Sequence, residues 1–264
     1  MEIEFVKMHG TGNDFVVVDC VKKKYDLGDL GSLSKKLCDR HFGIGGDGLI
    51  LVEKSEKADF RMRMFNPDGS EAEMCGNGIR CLAKYVKDSK LADKGKLTLE
   101  TLAGLKEIEV LEDWVKVDMG EPELLGEREL SLEKHGNFKM TIVSMGNPHA
   151  VLFVGSLDAF PVGDLGPRIE KHNLFPKRTN VEFVQVVDRT HLRVVVWERG
   201  AGLTLACGTG ACASLVASVT NDKTDRSVEV HLPGGTLKVE WDEKDNHVYM
   251  AGPAAEVFKG KIEV

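Results

Sequence analysis

Hydrophobic and polar residues alternate in many short runs along the chain, and this period of two predicts a strand-rich fold. Hydrophobic positions spaced three and four apart predict a smaller number of helices. Because residues 209–219 carry no charge and many small side chains, we expect strands to enclose the helix that they form. The strand-like segments are 14–19, 48–53, 59–65, 96–101, 106–111, 114–118, 139–144, 150–154, 181–187, 191–198, 227–232, 236–241 and 247–250. The helix-like segments are about 33–42, preceded by Ser32 as N-cap, 77–90, 163–173 and 208–220.

A glycine-rich cysteine motif occurs twice. The sequence MCGNGI at 74–79 returns 132 positions later as ACGTGA at 206–211. A helix-compatible run follows each copy, so Cys75 and Cys207 are predicted to lie at helix N-termini, where backbone N–H groups have no helical partner. Such a position lowers the pKa of a thiol and binds anions. The glycines let backbone amides approach a ligand closely.

Other landmarks repeat at nearly the same offset as the cysteine motif. Asn13 in GTGND is echoed by Asn147 in MGNPH, and Asn66 is echoed by Glu198. A period this long indicates duplicated domains rather than a solenoid. We therefore predict an α/β protein with two pseudo-symmetric lobes. The predicted lobes are residues 1–119 and 120–252, with the junction at 120–122, before the charged stretch 127–129.

Two thiols on matched scaffolds suit a racemase or an epimerase. Such an enzyme removes a proton from one face of a carbon and delivers a proton to the opposite face. A single base in a closed site would return the proton to the face that it left. The unperturbed pKa of cysteine, about 8.5, allows one partner to be a thiolate while the other is a thiol. We expect Cys75 and Cys207 to face one cleft, where helix-terminal amides hold a substrate carboxylate.

Two alternatives remain open for the repeated cysteines. They could be buried structural residues beside glycine turns, since free cysteine is often buried. They could also form a redox pair, although redox chemistry does not require carboxylate-binding amides around each thiol. The polar groups expected to share the cleft are His149, which belongs to a repeated landmark, and the dipeptide Glu198–Arg199.

Composition and charge narrow the class of protein further. The net charge of −7 and the pI near 5.7 argue against a nucleic acid or an anionic membrane as the main partner. No apolar run approaches the ~18 residues that a membrane helix needs. Acidic residues near the start stand where a signal peptide would be basic, so we expect a cytoplasmic protein whose six cysteines are reduced.

Cofactor and metal motifs are weak in this chain. The GxGxxG pattern at 43–48 follows a helix-like segment and precedes a strand-like one, which is the reverse of the dinucleotide-binding order. The histidines lack HExxH spacing and the cysteines lack CxxC spacing, so no metal site is predicted. No lysine stands out as a Schiff-base former. We therefore expect catalysis without a cofactor.

Taken together, the motifs resemble the diaminopimelate epimerase family from end to end. Their joint order is specific, although several are weak alone. Proline and hydroxyproline racemases share the two-thiol logic and phenazine-biosynthesis isomerases share the fold, but Asn77 and Thr209 resemble the diaminopimelate branch. The motifs are GTGNDF at 10–15, DRHFGIGGDG at 39–48, FNPDGSEAEMCGNGIRC at 65–81, MGNPHAV at 145–151, TNVEFV at 179–184, WERGAGLTLACGTGACA at 197–213 and AGPAAEVFKG at 251–260.

The resemblance implies interconversion of LL- and meso-diaminopimelate without pyridoxal phosphate, on the route to lysine and, in many bacteria, peptidoglycan. It implies that Cys75 and Cys207 are the acid/base pair and that His149 and Glu198 tune the thiols or handle the ammonium group. The residues it implies for substrate binding are Gly76, Asn77, Gly208 and Thr209 through their amides, and Asn13, Asn66, Asn147, Asn180, Glu198 and Arg199 through their side chains.

The resemblance also carries expectations about architecture and partners. It implies two similar lobes, each a strand-rich sheet rolled around a central helix, with the tail 253–264 returning to the first lobe. Family members commonly form homodimers, so a homodimer with a small-molecule substrate is expected, with no metal, nucleic acid or membrane partner. Some members carry glutamine where this chain has Gly48, so a side-chain contact there is absent or is supplied otherwise.

Overall fold

The structure of the protein is a computed structural model that describes residues 1–112, 114–133 and 135–264. None of the helices in these ranges is both long and apolar enough to cross a membrane. The elements, in chain order, are β1 (Glu2–Gly10), β2 (Asn13–Asp19), α1 (Leu30–Cys38), β3 (Gly48–Glu53), β4 (Phe60–Phe65), β5 (Glu71–Ala72), α2 (Gly76–Asp88), β6 (Lys96–Thr101), β7 (Gly104–Val110), β8 (Val115–Asp118), β9 (Glu123–Leu132), β10 (Gly136–Ser144), β11 (Pro148–Phe153), α3 (Val162–Glu170), β12 (Asn180–Asp188), β13 (His191–Glu198), β14 (Gly202–Thr204), α4 (Gly208–Thr220), β15 (Ser227–Leu232), β16 (Gly235–Trp241), β17 (Val248–Gly252) and β18 (Ala255–Glu263).

The chain divides into two compact units. Unit 1 contains Met1–Val117 together with Gly252–Val264, and unit 2 contains Asp118–Ala251. The C-terminal segment belongs to unit 1 because β18 pairs antiparallel with β1 along almost the whole length of both strands.

The sheet of unit 1 is mostly antiparallel and surrounds one helix. Its strands follow the order β18, β1, β2, β3, β4, β6, β7 and β8, with the short β5 also on β4. The pairs β2–β3 and β4–β6 are parallel. Helix α2 packs against β1, β2, β3, β4, β7 and β18. Its side chains Ile79, Cys81, Leu82 and Val86 are fully buried, so this helix forms the centre of the core of unit 1.

The sheet of unit 2 repeats this arrangement strand for strand. Its order is β9, β10, β11, β12, β13, β15, β16 and β17, with the short β14 on β13. The parallel pairs are β11–β12 and β13–β15, at the places equivalent to those in unit 1. Helix α4 packs against β10, β11, β12, β13, β15 and β16. The predicted α/β class, with a strand-rich sheet around a central helix in each repeat, is confirmed.

Helix α4 is enclosed along nearly its whole length, as its uncharged sequence predicts. Burial without charged partners is possible because its polar side chains bond within the helix. The hydroxyl of Ser214 donates to the carbonyl of Gly210, and that of Ser218 donates to the carbonyl of Ser214, both at 2.7 Å. Each hydroxyl is thereby satisfied in an apolar environment.

The predicted start of α1 is wrong. The helix begins at Leu30, and its N-cap is Asp29, whose carboxylate accepts the backbone N–H of Ser32. Ser32 therefore lies in the first turn, where its backbone N–H donates to the Asp29 carboxylate at 3.0 Å. The helix also ends earlier than predicted, at Cys38, since Asp39 accepts the backbone N–H groups of His41 and Phe42 in a turn.

Among the described residues, five strands were not predicted, namely β1, β5, β9, β14 and β18. Strand β9 shows the reason, because most of its side chains are exposed and the charged stretch 127–129 lies within it. Its backbone pairs with β10 over nine residues of that strand. Strand formation here is decided by the partner strand and not by a buried face, so the sequence at 121–132 was misread as the end of strand patterning.

We expect the free energy of unfolding to fall as the pH rises above about 8.5, the pKa of a free thiol. Burial raises the pKa of Cys81 to about 12. Between these values the unfolded chain releases the proton and the folded chain keeps it, which costs up to about 1.4 kcal/mol per pH unit. In urea denaturation between about pH 8 and about pH 10.5, the free energy of unfolding of Cys81→Ala should therefore fall less steeply with pH than that of the wild type.

The control for this measurement is Leu82→Ala, the neighbouring buried residue of α2. It should lose stability at every pH but keep the wild-type slope. Equal slopes for Cys81→Ala and the wild type would contradict the assignment.

Candidate active site

Cys75 and Cys207 occupy the same position in the two units. Each is the N-cap of the central helix and has extended backbone, with φ −136° and ψ 120° at Cys75 and φ −123° and ψ 114° at Cys207. The carbonyl of each accepts the N–H four residues later, at 2.8 Å from Ile79 and 3.0 Å from Ala211. Each cysteine therefore stands at a helix N-terminus, where the backbone N–H groups of the first turn have no partner within the helix. The prediction that both cysteines begin helices is confirmed.

Cys75 lies against a network of neutral amides in unit 1. Its Sγ is 3.7 Å from Oδ1 of Asn13, which also accepts a hydrogen bond from Nδ2 of Asn77 at 3.2 Å. Nδ2 of Asn13 donates to the carboxylate of Asp47 at 2.6 Å. Asn13 is therefore oriented with its oxygen toward the thiol and the helix terminus.

Asp47, which accepts the hydrogen bond from Asn13, belongs to a cluster of charged residues. Arg40 bridges Asp14 and Asp47 with contacts of 2.7 Å, and Lys7 pairs with Asp14 at 2.7 Å. Burial acts to raise the pKa of Asp14, but hydrogen bonds from Arg40 and Lys7 outweigh it and hold that pKa well below its ordinary value. The cluster is thus ionised. The sequence analysis did not single it out as a cluster, because its members come from separate positions along the chain.

Arg80 is a further residue that the sequence analysis did not assign to the site. Its side chain is fully buried, and the guanidinium donates to the carbonyl of Gly76 at 3.0 Å and to the hydroxyl of Thr11 at 3.2 Å. It also reaches the carbonyl of Pro253 at 3.4 Å. Arg80 therefore ties the first turn of α2 to the β1–β2 turn and to the C-terminal segment.

Cys207 is more enclosed than Cys75. Its Sγ accepts the backbone N–H of Gly210 at 3.4 Å and lies 3.5 Å from the hydroxyl of Thr209. Burial raises the pKa of Cys207 well above its ordinary value, and the nearby Glu198 carboxyl acts in the same direction. The bonds from Thr209 and Gly210 act against them. Cys207 therefore rests as a thiol near neutral pH, beside two donors that can stabilise its thiolate.

The end of β13 supplies a carboxyl group and an exposed guanidinium. Oε1 of Glu198 accepts the hydroxyl of Thr204 at 2.6 Å, and burial raises the pKa of Glu198. Arg199 is exposed, and its backbone N–H donates to Oδ1 of Asn180 at 2.9 Å. Nδ2 of Asn180 donates to the carbonyl of Pro148 at 3.0 Å. Asn180 thus holds the β13 end against the start of β11.

His149 is fully buried between two side chains. Its Nε2 is 2.9 Å from Oδ1 of Asn147, and its Nδ1 is 2.7 Å from Oε1 of Glu182. Nδ2 of Asn147 in turn donates to the hydroxyl of Thr209 at 3.3 Å. The sequence analysis missed Glu182, although a lone acidic residue inside the apolar run VEFV was a usable signal.

The remaining predicted site residues are Gly76, Gly208 and Asn66. Gly76 and Gly208 are the first residues of α2 and α4 and are buried. Asn66 follows β4, where its Nδ2 donates to the hydroxyl of Ser70 at 2.9 Å. Within unit 1 the structure gathers Asn13 and Asn77 around Cys75, whereas Asn66 is held by its own turn.

One group of potential metal ligands is present among the described residues. His191 on β13 and Glu229 and His231 on β15 have ligand atoms within 4.8 Å of one another. The histidine rings are stacked with an interplanar angle of 2° and centroids 5.8 Å apart. Imidazole lone pairs lie in the ring plane, so one ion could reach both nitrogens only after a ring rotates. We assign no metal to this group.

Solved structures define the class of fold. A phenazine biosynthesis protein of the PhzF family from Bacillus anthracis matches with a TM-score of 0.78 and 19% identity, over 100% of both chains. A hydroxyproline epimerase from Agrobacterium vitis matches with a TM-score of 0.74 and 16% identity, over 99% of this chain and 92% of that one. The chain therefore has the duplicated α/β fold that these proteins share.

Sequence comparison identifies the family within that class. The profile of the diaminopimelate epimerase family matches residues 5–125 and 141–257. Diaminopimelate epimerases from Acetivibrio thermocellus and Methanococcus maripaludis are 53% and 50% identical to the chain, over 99% of its length and 99% and 100% of theirs. The chain belongs to the diaminopimelate epimerase family and is an isomerase.

The close packing around the first turn of α4 leaves no room for a side chain at Gly210. A Cβ at this position would lie 2.8 Å from Oε1 of Glu182, which its bond to His149 holds in place. A Cβ at Gly78, the equivalent residue of α2, would lie 3.0 Å from the flexible end of Ile50. We expect Gly210→Ala to lower the free energy of unfolding by about 1–3 kcal/mol through overpacking, and Gly78→Ala by less.

Denaturant melts of these two variants and the wild type would check the prediction. Equal stability of Gly210→Ala and the wild type would show that Glu182 is free to move away from the helix terminus.

Proposed function

We propose that this protein interconverts LL- and meso-2,6-diaminopimelate without a cofactor, with Cys75 and Cys207 as its acid/base pair. The observation that carries the proposal is the repeated geometry of the two thiols. Each is an extended N-cap at the start of a central helix, in two units of the same topology. The family assignment supports the substrate and the reaction, since the curated relatives at about half identity are diaminopimelate epimerases.

In this mechanism one thiolate removes the α-proton from one face of the substrate carbon, and the other thiol delivers a proton to the opposite face. The reverse direction exchanges the two roles. Because burial raises the pKa of Cys207, we assign Cys207 the resting role of proton donor. We assign Cys75 the role of base, which it takes once the proton that its Sγ directs at Oδ1 of Asn13 has been released. After donation, the Gly210 N–H and the Thr209 hydroxyl stabilise the Cys207 thiolate.

The helix N-termini supply the electrostatic part of the mechanism. The backbone N–H groups of the first helical turn make no hydrogen bond within the helix, and together with the positive end of the helix dipole they favour an anion at each site. We assign these amides to the carboxylate at the reacting carbon, where they also stabilise the charge that develops as the proton leaves. The amides concerned belong to Gly76, Asn77, Gly208 and Thr209.

Polar side chains recognise the rest of the substrate in this proposal. Diaminopimelate has a second ammonium and a second carboxylate, so its site needs neutral donors and acceptors, one cation and one anion. Arg199 is exposed and can bind a carboxylate bidentately, while Glu198 can accept from an ammonium group. The side chains that we assign to substrate binding are Asn13, Asn66, Asn147, Asn180, Glu198 and Arg199, with His149 and Glu198 also assisting the thiols.

The proposal extends to the cellular setting. A diaminopimelate epimerase acts on the route to lysine and to peptidoglycan precursors, and we assign this protein to the cytoplasm as a homodimer.

Replacing either thiol should abolish the reaction while the fold remains. Without one of the two proton carriers, the proton can be exchanged on one face only, and we expect turnover to fall by about 10²- to 10⁴-fold or more in Cys75→Ala and in Cys207→Ala. The measurement is conversion of LL- to meso-diaminopimelate by chiral chromatography. Cys212→Ala is the matched control, because this thiol is buried in α4 away from the N-cap. Full turnover by either N-cap variant would exclude the two-base mechanism.

Solvent hydrogen should enter the product at the reacting carbon. The delivered proton comes from a thiol that exchanges with water, so product formed in D2O should carry deuterium there. Mass spectrometry of early product checks this, with proline and glutamate as parallel substrates. Unlabelled product would contradict proton delivery by a thiol, and turnover of proline without diaminopimelate would overturn the substrate assignment.

A further inference from the structure

The residues beneath the two cysteine-bearing helices differ in chemistry although their backbones correspond. The parallel pair β2–β3 places Phe15 opposite Gly48, and the equivalent pair β11–β12 places His149 opposite Asn180. Two residues further along, β3 carries Ile50 and β12 carries Glu182. Unit 1 therefore has two apolar residues where unit 2 has two ionisable ones.

Both positions lie directly under the first turn of the helix. Ile50 comes within 3.0 Å of the place where a Cβ on Gly78 would stand, and Glu182 comes within 2.8 Å of the equivalent point on Gly210. The same point on Gly210 is 3.3 Å from Sγ of Cys207. Glu182 and His149 have no solvent exposure. The protonation state of Glu182 therefore affects the charge close to Cys207.

The hydrogen bonds around His149 determine where its protons are. Asn147 uses Nδ2 to donate to Thr209, so its Oδ1 faces Nε2 of His149 as an acceptor at 2.9 Å. With Asn147 in this orientation, Nε2 carries hydrogen. The opposite nitrogen, Nδ1, is 2.7 Å from Oε1 of Glu182. A hydrogen bond at that distance needs one proton between these two atoms, whichever of them it rests on.

The surroundings of the second Glu182 oxygen support the presence of one proton between Glu182 and His149. Oε2 is buried and has no hydrogen-bond partner among the described residues. A full carboxylate charge would leave this oxygen unsolvated at high cost, whereas a proton shared with His149 makes the pair neutral overall. Burial raises the pKa of Glu182, in the direction that favours retention of the proton.

The network continues to the thiol. Because the Thr209 oxygen already accepts from Asn147, its own hydrogen is free to point at Sγ of Cys207, 3.5 Å away. Each step from Glu182 to Cys207 then has one donor and one acceptor. A rotated Asn147 would remove this order and turn the Thr209 hydrogen elsewhere.

We propose that Glu182 and His149 share one proton and act as a positioning pair, which orients Asn147 and Thr209 so that the Thr209 hydroxyl donates to Cys207. This inference rests on the proposed role of Cys207 as an acid/base group. It makes the two thiols inequivalent, since the apolar Phe15 and Ile50 can supply no such network in unit 1. Glu182 is assigned no contact with substrate.

The charged groups near the Glu182–His149 pair determine in which direction the pKa of Cys207 should change when the pair is broken. Glu198 approaches from β13 and is half-buried, and Cys207 approaches from α4 and is buried. An ionised, unpaired Glu182 would oppose a thiolate at Cys207 by charge repulsion. The shared proton cancels that repulsion and leaves the hydrogen bond from Thr209 as the effect of the pair, so breaking the pair should raise the pKa of Cys207.

The proton assignment can be tested on the wild-type enzyme by NMR with ¹⁵N-labelled histidine. We expect hydrogen on Nε2 of His149 and one proton between Nδ1 and Oε1 of Glu182. A His149 ring with hydrogen on Nδ1 alone would overturn the proposal.

Two substitutions at Glu182 separate the hydrogen bond from charge. Glu182→Gln keeps a donor to Nδ1 of His149 and removes any negative charge, so kcat should stay within about threefold of the wild type. Glu182→Ile places in unit 2 the side chain that unit 1 has at Ile50. We expect its kcat to fall at least about tenfold while KM changes little. An equal loss in both variants would show that the charge itself is needed and would overturn the proposal.

Thiol reactivity provides a readout that general destabilisation would not reproduce. The rates of alkylation of Cys75 and Cys207 by iodoacetamide are followed against pH by mass spectrometry. In Glu182→Ile the midpoint for Cys207 should rise by about one pH unit, and that for Cys75 should not move. Ile50→Val, the matched change beneath α2, should move neither midpoint.

Three outcomes of the alkylation experiment would overturn the inference: an unchanged midpoint for Cys207, a lowered midpoint, or equal shifts at both thiols. If Glu182→Ile does not fold, Glu182→Gln decides, because a wild-type Cys207 profile supports the shared proton and a shifted one contradicts it. Alkylation requires no turnover, so failure of the pair is distinguishable from failure of the two-base mechanism.

Discussion

The first turn of a buried helix is the constraint on which both units depend. Its backbone N–H groups have no partner inside the helix, and leaving them unsatisfied in a buried core would be costly. In unit 2 the sulfur of Cys207 accepts one of them, from Gly210, and in unit 1 the extended N-cap holds Cys75 beside the same kind of groups. In each unit, therefore, the same helix N-terminus both favours an anion and carries the cysteine.

Duplication copies the backbone more faithfully than it copies the side chains. The two sheets have the same strand order and the same parallel pairs. Around Cys75 the network consists of amides supported by ion pairs, whereas around Cys207 it contains His149, Glu182 and Glu198. Equal scaffolds with unequal surroundings suit a reaction in which two similar groups take opposite protonation states.

Much of the fold follows from local pattern. Strands with one buried face, such as β13 with its alternating burial, and helices with a clear apolar run were predicted to within a few residues. Strand β9 was not, because its side chains are exposed and its pairing with β10 decides its conformation. The capping of α1 by Asp29 was also missed, since Ser32 and Asp29 are both good caps and their competition is settled by geometry.

The sequence by itself determined the duplication, the two cysteine motifs and the family, because these are properties of residue order and spacing. Only the tertiary structure decided which groups surround each thiol. Glu182, Arg80 and the Lys7–Asp14–Arg40 cluster come from segments far apart in the chain, and burial sets their protonation and partners. Removal from water and the exact pairing of donors with acceptors are consequences of packing, which no single segment encodes.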